Sequence, residues 1–172
     1  MDKKSLIFGF ICGIIFSIGV YYFLFYEDRT AIFDKTNSNE EVKASIKIKL
    51  ASVFVDDQEK ALKFYTEVLG FVKKADTPVG KFRWLTVVSP DGSGEMELLL
   101  EPNENSAAKT YQQAIFDQGI PATAFFVDDI QKEFERLKKL GVKFTMEPTK
   151  TGEVTIAIFD DTCGNLIQLV QV

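Results

Sequence analysis

The chain of 172 residues contains no histidine. That absence removes the usual general base near neutral pH and the imidazole on which many zinc, nickel and iron sites depend. It also leaves Ser52, Ser89 and Cys163 without a histidine to activate them as nucleophiles, so no catalytic residue is assigned. Cysteine is scarce too. Cys12 lies inside an apolar run and Cys163 stands alone in the remainder, so no intramolecular disulfide is expected even in an oxidising compartment. With a net charge of -5 and no Lys/Arg block, the chain lacks the clustered positive surface that a nucleic-acid partner requires.

Charge is missing altogether from Leu6 to Tyr26. About 20 apolar residues at a rise of 1.5 Å span the roughly 30 Å hydrocarbon core of a bilayer, so residues 1–26 are expected to form a short tail and one transmembrane helix. The length of the run and the lack of a small-x-small pattern before Glu27 favour a retained anchor over a cleaved signal peptide, and bulky Ile11 argues against a lipoprotein site at Cys12. Lys3 and Lys4 precede the run while Glu27, Asp28 and Asp34 follow it. This bias places the N-terminus in the cytoplasm and the bulk of the chain outside it, on the cell membrane. Gly9 and Gly13 form a GxxxG through which two anchors could pack. Residues 27–42 are polar, without sustained periodicity, and read as a tether.

What remains, residues 43–172, is written twice. Val55-Asp56-Asp57, a helical stretch and Leu69-Gly70 return about 72 residues later as Val127-Asp128-Asp129, a helical stretch and Leu140-Gly141. Asp56 with Glu59, and Asp128 with Gln131, read as capping boxes, and Gly70 and Gly141 as helix-closing glycines. Each helix is preceded by a strand-like run and followed by three more, and a short helix near Ala107 to Gln118 joins the halves. The expected fold is therefore α+β: two tandem β-α-β-β-β modules, about 43–106 and 119–172.

The stretch from Val55-Asp56-Asp57 through Ala61-Leu62-Lys63-Phe64-Tyr65-Thr66-Glu67-Val68-Leu69-Gly70-Phe71, and the closing Asp160-Asp161-Thr162-Cys163-Gly164-Asn165-Leu166-Ile167-Gln168-Leu169, resemble the vicinal oxygen chelate superfamily of glyoxalases, bleomycin-resistance proteins and extradiol dioxygenases. The resemblance implies an incomplete eight-stranded barrel around a cavity, with metal ligands, in the metal-dependent members, on the first and last strand of each module. Those positions fall here at Leu50 and Ala122, at Gln168, and at Leu98, or at Glu97 if the strand carries a bulge. Alkyl groups and one amide offer no transition-metal site, so no metal and no cofactor is expected. Asp56, Asp57, Asp160 and Asp161 fall in caps and turns rather than in a hard-cation cage.

Strand alternation places Ser52 and Phe54 with Leu50, and Phe126 with Ala122, on the cavity side, to which Trp84 adds a stacking surface and Gln168 an amide. Leu50, Ser52, Phe54, Trp84, Leu98, Ala122, Phe126 and Gln168 are thus the expected ligand-binding set. Apolar walls with a few polar points serve a small-molecule pocket and a packed barrel interior equally. The expected function is a membrane-anchored domain that binds or sequesters a small molecule without metal. The alternatives are a lyase or dioxygenase of the same superfamily and a surface interaction module with a filled cavity. The resemblance also leaves a homodimer open.

Overall fold

The computed structural model describes residues 45–91 and 96–172. The expected anchor, its GxxxG, Cys12 and the tether lie outside the described residues. Among the described residues no helix is long and apolar enough to cross a membrane. Residues Lys47–Val172 form one compact unit.

The first half runs β1 (Leu50–Val55), α1 (Gln58–Lys63), β2 (Val72–Val79), β3 (Phe82–Val88) and β4 (Glu97–Pro102). A bridging helix α2 (Ser106–Asp117) leads to β5 (Thr123–Phe126), α3 (Ile130–Lys139), β6 (Phe144–Thr151), β7 (Val154–Asp160) and β8 (Leu166–Gln171). The strands make two four-stranded sheets, ordered β1-β4-β3-β2 and β5-β8-β7-β6. In both, the first strand of the half pairs in parallel with the last and the other neighbours are antiparallel, so the duplicated sequence folds twice in the same way.

The helix starts correct the expected caps by one residue. Asp57, not Asp56, is extended (φ -145°) and accepts from the Glu59 and Lys60 amides; Asp129, not Asp128, accepts from the Lys132 amide. A cap must sit outside the helix while its carboxylate reaches back to free amides, and only the second Asp of each pair meets both conditions. Asp56 instead pairs with Lys60 at 2.8 Å. After Lys63 the helix widens into a π-turn, Phe64–Val68, in which the Leu69 amide donates to the Phe64 carbonyl, five residues back. Gly70 ends this stretch at φ +83°, a left-handed conformation that only glycine adopts without strain.

One core serves both sheets. Val53, Val55, Leu85, Val87 and Leu100 of the first sheet meet Ala157, Phe159, Ile167 and Leu169 of the second through Phe64, Tyr65, Ile130 and Leu137 of the helices. Phe64 lies 6.3 Å from Phe159 and Tyr65 6.4 Å from Phe125, ring centre to ring centre, so the first helix buries its aromatics against the second half. Each such buried ring or Leu contributes roughly 1.5–3 kcal/mol.

Candidate functional site

Strand register fixes which side chains share the sheet face turned away from α1 and α3. On the first sheet Leu50 lies beside Glu97, Ser52 beside Leu99 and Phe54 beside Glu101, and Thr86 beside Leu99 on the other side. Alternation along β3 adds Trp84. On the second sheet Ala124 lies beside Gln168 and Gln168 beside Ile158, while Phe126 lies beside Val170. Ala122, just before β5, donates its amide to the Leu166 carbonyl and continues this face. These helix-free faces are buried at their centres, at Leu99, Ile158 and Val170, and open around them. Leu50 is 40% exposed, Trp84 42% and Phe126 71%.

Of the expected set, register therefore gathers Leu50, Ser52, Phe54 and Trp84 on one helix-free face and Ala122, Phe126 and Gln168 on the other. Leu98 is not with them. It packs against the core from the helix side, and Glu97, one residue earlier, holds the position beside Leu50. The Phe82–Val88 to Glu97–Pro102 pairing sets this parity: Val87, a core residue, faces Leu98. Glu97 and Leu98 nevertheless line one cleft of about 190 Å³ with Ala51, Thr123 and Ala124, where the edges of the two sheets meet. Phe126 also borders a larger cleft of about 580 Å³ with Phe71, Phe125 and Lys132.

The polar groups on these faces are few. The Thr86 hydroxyl donates to Glu97 Oε2 at 2.7 Å and occupies it. Gln168 is half-buried, and its amide makes no hydrogen bond among the described residues. Glu101 is half-buried between Phe54 and the open side of β3, also without a hydrogen bond or ion pair among the described residues. Its neighbouring ladder is interrupted: the Gln58 side chain accepts from the Arg83 amide at 3.0 Å and donates to the Arg83 and Leu100 carbonyls, both at 2.8 Å. Gln58 thus takes the place of ladder bonds where β3 and β4 part beyond Thr86 and Leu99. Gln58 and Thr86 escaped the sequence reading, and Glu101 is not in the expected ligand-binding set. The alternation Glu97-Leu99-Glu101 could have exposed Glu101; nothing local signalled that Gln58 would reach across to β3 and β4.

A transition metal does not fit here. The expected ligand positions hold Leu50, Ala122, Gln168 and Leu98 or its neighbour Glu97, so they offer at most one carboxylate already bonded and one neutral amide. Among the described residues no three His, Cys, Asp or Glu side chains come close enough to hold an ion.

The duplicated fold and these motifs define the class: the chain belongs to the Glyoxalase/Bleomycin resistance protein/Dioxygenase superfamily, whose family model matches residues 47–169. An uncharacterized protein of Bacillus subtilis (strain 168), YurT, is 68% identical over 126 residues, 73% of this chain and 99% of YurT. The crystal structure of TnmS3, described as an antibiotic binding protein from Streptomyces sp. CB03234, is similar with a TM-score of 0.60 and 31% identity, over 74% of this chain and 98% of that one. A probable lactoylglutathione lyase of Vibrio parahaemolyticus is 28% identical over 119 residues, 68% of this chain and 84% of the lyase.

Proposed function

We propose that this chain is a small-molecule binding protein of the superfamily that works without a metal, and that the two helix-free faces enclose the ligand as parts of an incomplete barrel. The observation that carries the reading is the composition of those faces: Leu50, Ala122 and Gln168 stand at expected ligand positions where a metalloenzyme needs lone-pair donors, and Ser52, Phe54, Trp84 and Phe126 share the faces with them. Apolar walls with isolated polar groups are the recipe for a ligand pocket. Similarity to the antibiotic binding protein TnmS3 supports binding over turnover, and the aromatic side chains on these faces suit a partly aromatic compound that the domain binds or sequesters.

The open edges of these faces, at Leu50, Trp84 and Phe126, favour closure by a second copy, so the working unit is read as a homodimer. Leu6 to Tyr26 would hold it at the cell membrane with the domain outside. The test is equilibrium dialysis of the full chain in mild detergent against a panel of apolar and aromatic natural products, with metal content measured in parallel. Saturable binding with no stoichiometric metal is expected. A bound metal, or binding of nothing in the panel, overturns the proposal.

A second reading, a lyase, has one observation in its favour: a carboxylate, Glu97, lies directly across from Leu50, an expected ligand position. It requires lactoylglutathione lyase activity that appears with added zinc or nickel and vanishes in Glu97→Gln.

A further inference from the structure

We infer that the helix-free face of the first sheet selects a ligand with a planar apolar body and a positively charged amine, with Glu101 as the charge partner and Trp84 as the stacking surface. The inference rests on the small-molecule reading above and adds the chemical class of the ligand.

Charge on this face is one-sided. Among the residues that the strand registers pair on this face, Glu97 and Glu101 are the charged ones, and both are acidic; Lys74, at the β2 bulge between Lys73 and Ala75, has no register partner. The cations nearest in sequence are turned elsewhere. Arg83 points to the helix side and is held by Asp76 and Glu59, and Lys81 pairs with Glu104 in front of the strand. Neither neutralises the face. The two carboxylates then differ in a way that singles one out: Glu97 already accepts from Thr86, whereas Glu101 has no hydrogen bond or ion pair among the described residues although it is half-buried. A half-buried carboxylate without a partner is an available counter-charge for an incoming cation.

The surroundings of Glu101 fit the rest of such a ligand. Phe54 flanks it on β1, and Trp84 lies on β3 beyond the last β3–β4 pair, where Gln58 holds the two strands apart. Trp84 is 42% exposed, so its ring is available for stacking, and an indole face also attracts a cation directly. An anionic ligand of the same shape would meet two carboxylates and no counter-charge, so the face discriminates by repulsion as well as attraction.

Trp84 is the only tryptophan in the chain, so its emission reports on this face alone. Three matched probes share an anthracene body that accepts energy from tryptophan: 9-(aminomethyl)anthracene, 9-anthracenemethanol and anthracene-9-carboxylate. They are titrated into the full chain in mild detergent, with empty micelles as the blank. Saturable quenching of Trp84 is expected, with the amine bound at least about tenfold more tightly than the alcohol and the carboxylate weakest, since one charge-assisted hydrogen bond is worth about tenfold or more. Glu101→Gln should bring the amine down to the alcohol's affinity and leave the alcohol unchanged, which a merely structural role for Glu101 would not do. Equal binding of all three probes overturns the charge assignment and leaves the small-molecule reading standing. A preference for the amine that survives Glu101→Gln also overturns it. If no probe quenches Trp84 while the natural-product panel is also silent, the small-molecule reading fails first and this inference with it.

Discussion

The Tyr65 hydroxyl donates to Asp161 Oδ2 at 3.0 Å, and both groups are fully buried. The bond joins the helical stretch of the first half to the turn before the last strand. Asp161 Oδ2 also accepts from the Asn165 side chain, and Oδ1 from the Cys163 and Asn165 amides. Asn165 donates onward to the Phe54 carbonyl, which receives Gln112 of the bridging helix as well. The polar knot that locks the two halves thus ends on β1, the strand that carries Leu50, Ser52 and Phe54. Burial pushes the Asp161 carboxyl up while its donors pull it down, and burial first, then the adjacent Asp161, holds the Tyr65 phenol well above its ordinary value.

Tyr65→Phe removes one of four donors to Asp161 without changing the shape of the core. An under-satisfied buried acceptor costs about 1–3 kcal/mol, so the urea midpoint should fall with an unchanged slope. Asp161→Asn in the same background tests the coupling. If the two losses simply add, the bond does not join the halves as described.

Gly164→Ala should do more harm than alanine at the other turn glycines. Gly164 sits at φ +98°, and a Cβ there would meet Gln112 Nε2 at 2.8 Å, the amide that bridges the Phe54 and Cys163 carbonyls and Asn165. At Gly152, φ +64°, a Cβ meets nothing within 4 Å. Backbone strain of about 1 kcal/mol or more applies to both, and the clash to Gly164 alone. Thermal melts should rank wild type, then Gly152→Ala, then Gly164→Ala; parity of the two variants would show that Gln112 moves aside freely.

Alkali should unfold the domain through Tyr65 and Cys163. Burial pushes the Cys163 thiol from 9.0 up to about 12, and Tyr65 shifts the same way. Both groups hold their protons more tightly in the fold. Stability is therefore fully present below pH 9 and is lost as pH rises from there toward 12. Cys163→Ala should flatten that limb in denaturant titrations from pH 7 to 11. In a Cys12→Ser background, native Cys163 should resist thiol reagents until the domain opens.

The architecture was legible because the repeat, the closing glycines and the strand alternation are local signals, and each half obeys the same ones. Parity was the harder matter. Leu98 and Glu97 differ by one position, and only the pairing of Leu98 with Val87 turns Leu98 to the core. The caps were misplaced by a residue for a similar reason, since Asp-Asp offers two carboxylates and backbone geometry chooses between them. Gln58 and the knot around Gln112 are contacts over 25 to 58 residues of sequence, which no local pattern announces.

Acid should weaken the fold through Asp76. Its carboxylate accepts from Arg83 Nε at 2.7 Å and Nη2 at 2.6 Å and from Lys73 at 3.1 Å, and these cations hold its pKa well below the ordinary 3.8. Arg83 first, then Lys73, is the cause. A depressed carboxyl binds its proton less readily in the fold than in the unfolded chain, so its contribution is present above pH 3.8 and is lost as pH falls below that value. Because the group is in contact with water, the effect is screened and modest. Asp76→Asn should lower the urea midpoint at pH 7, and the gap to wild type should close as pH drops from 5 toward 2. Raising NaCl from 0.05 to 0.5 M at pH 7 should narrow it too. A gap that stays constant down to pH 2 would mean that Asp76 acts by packing on β2 and not by its charge, and Arg83 would then be free to serve a ligand instead of being held on the helix side.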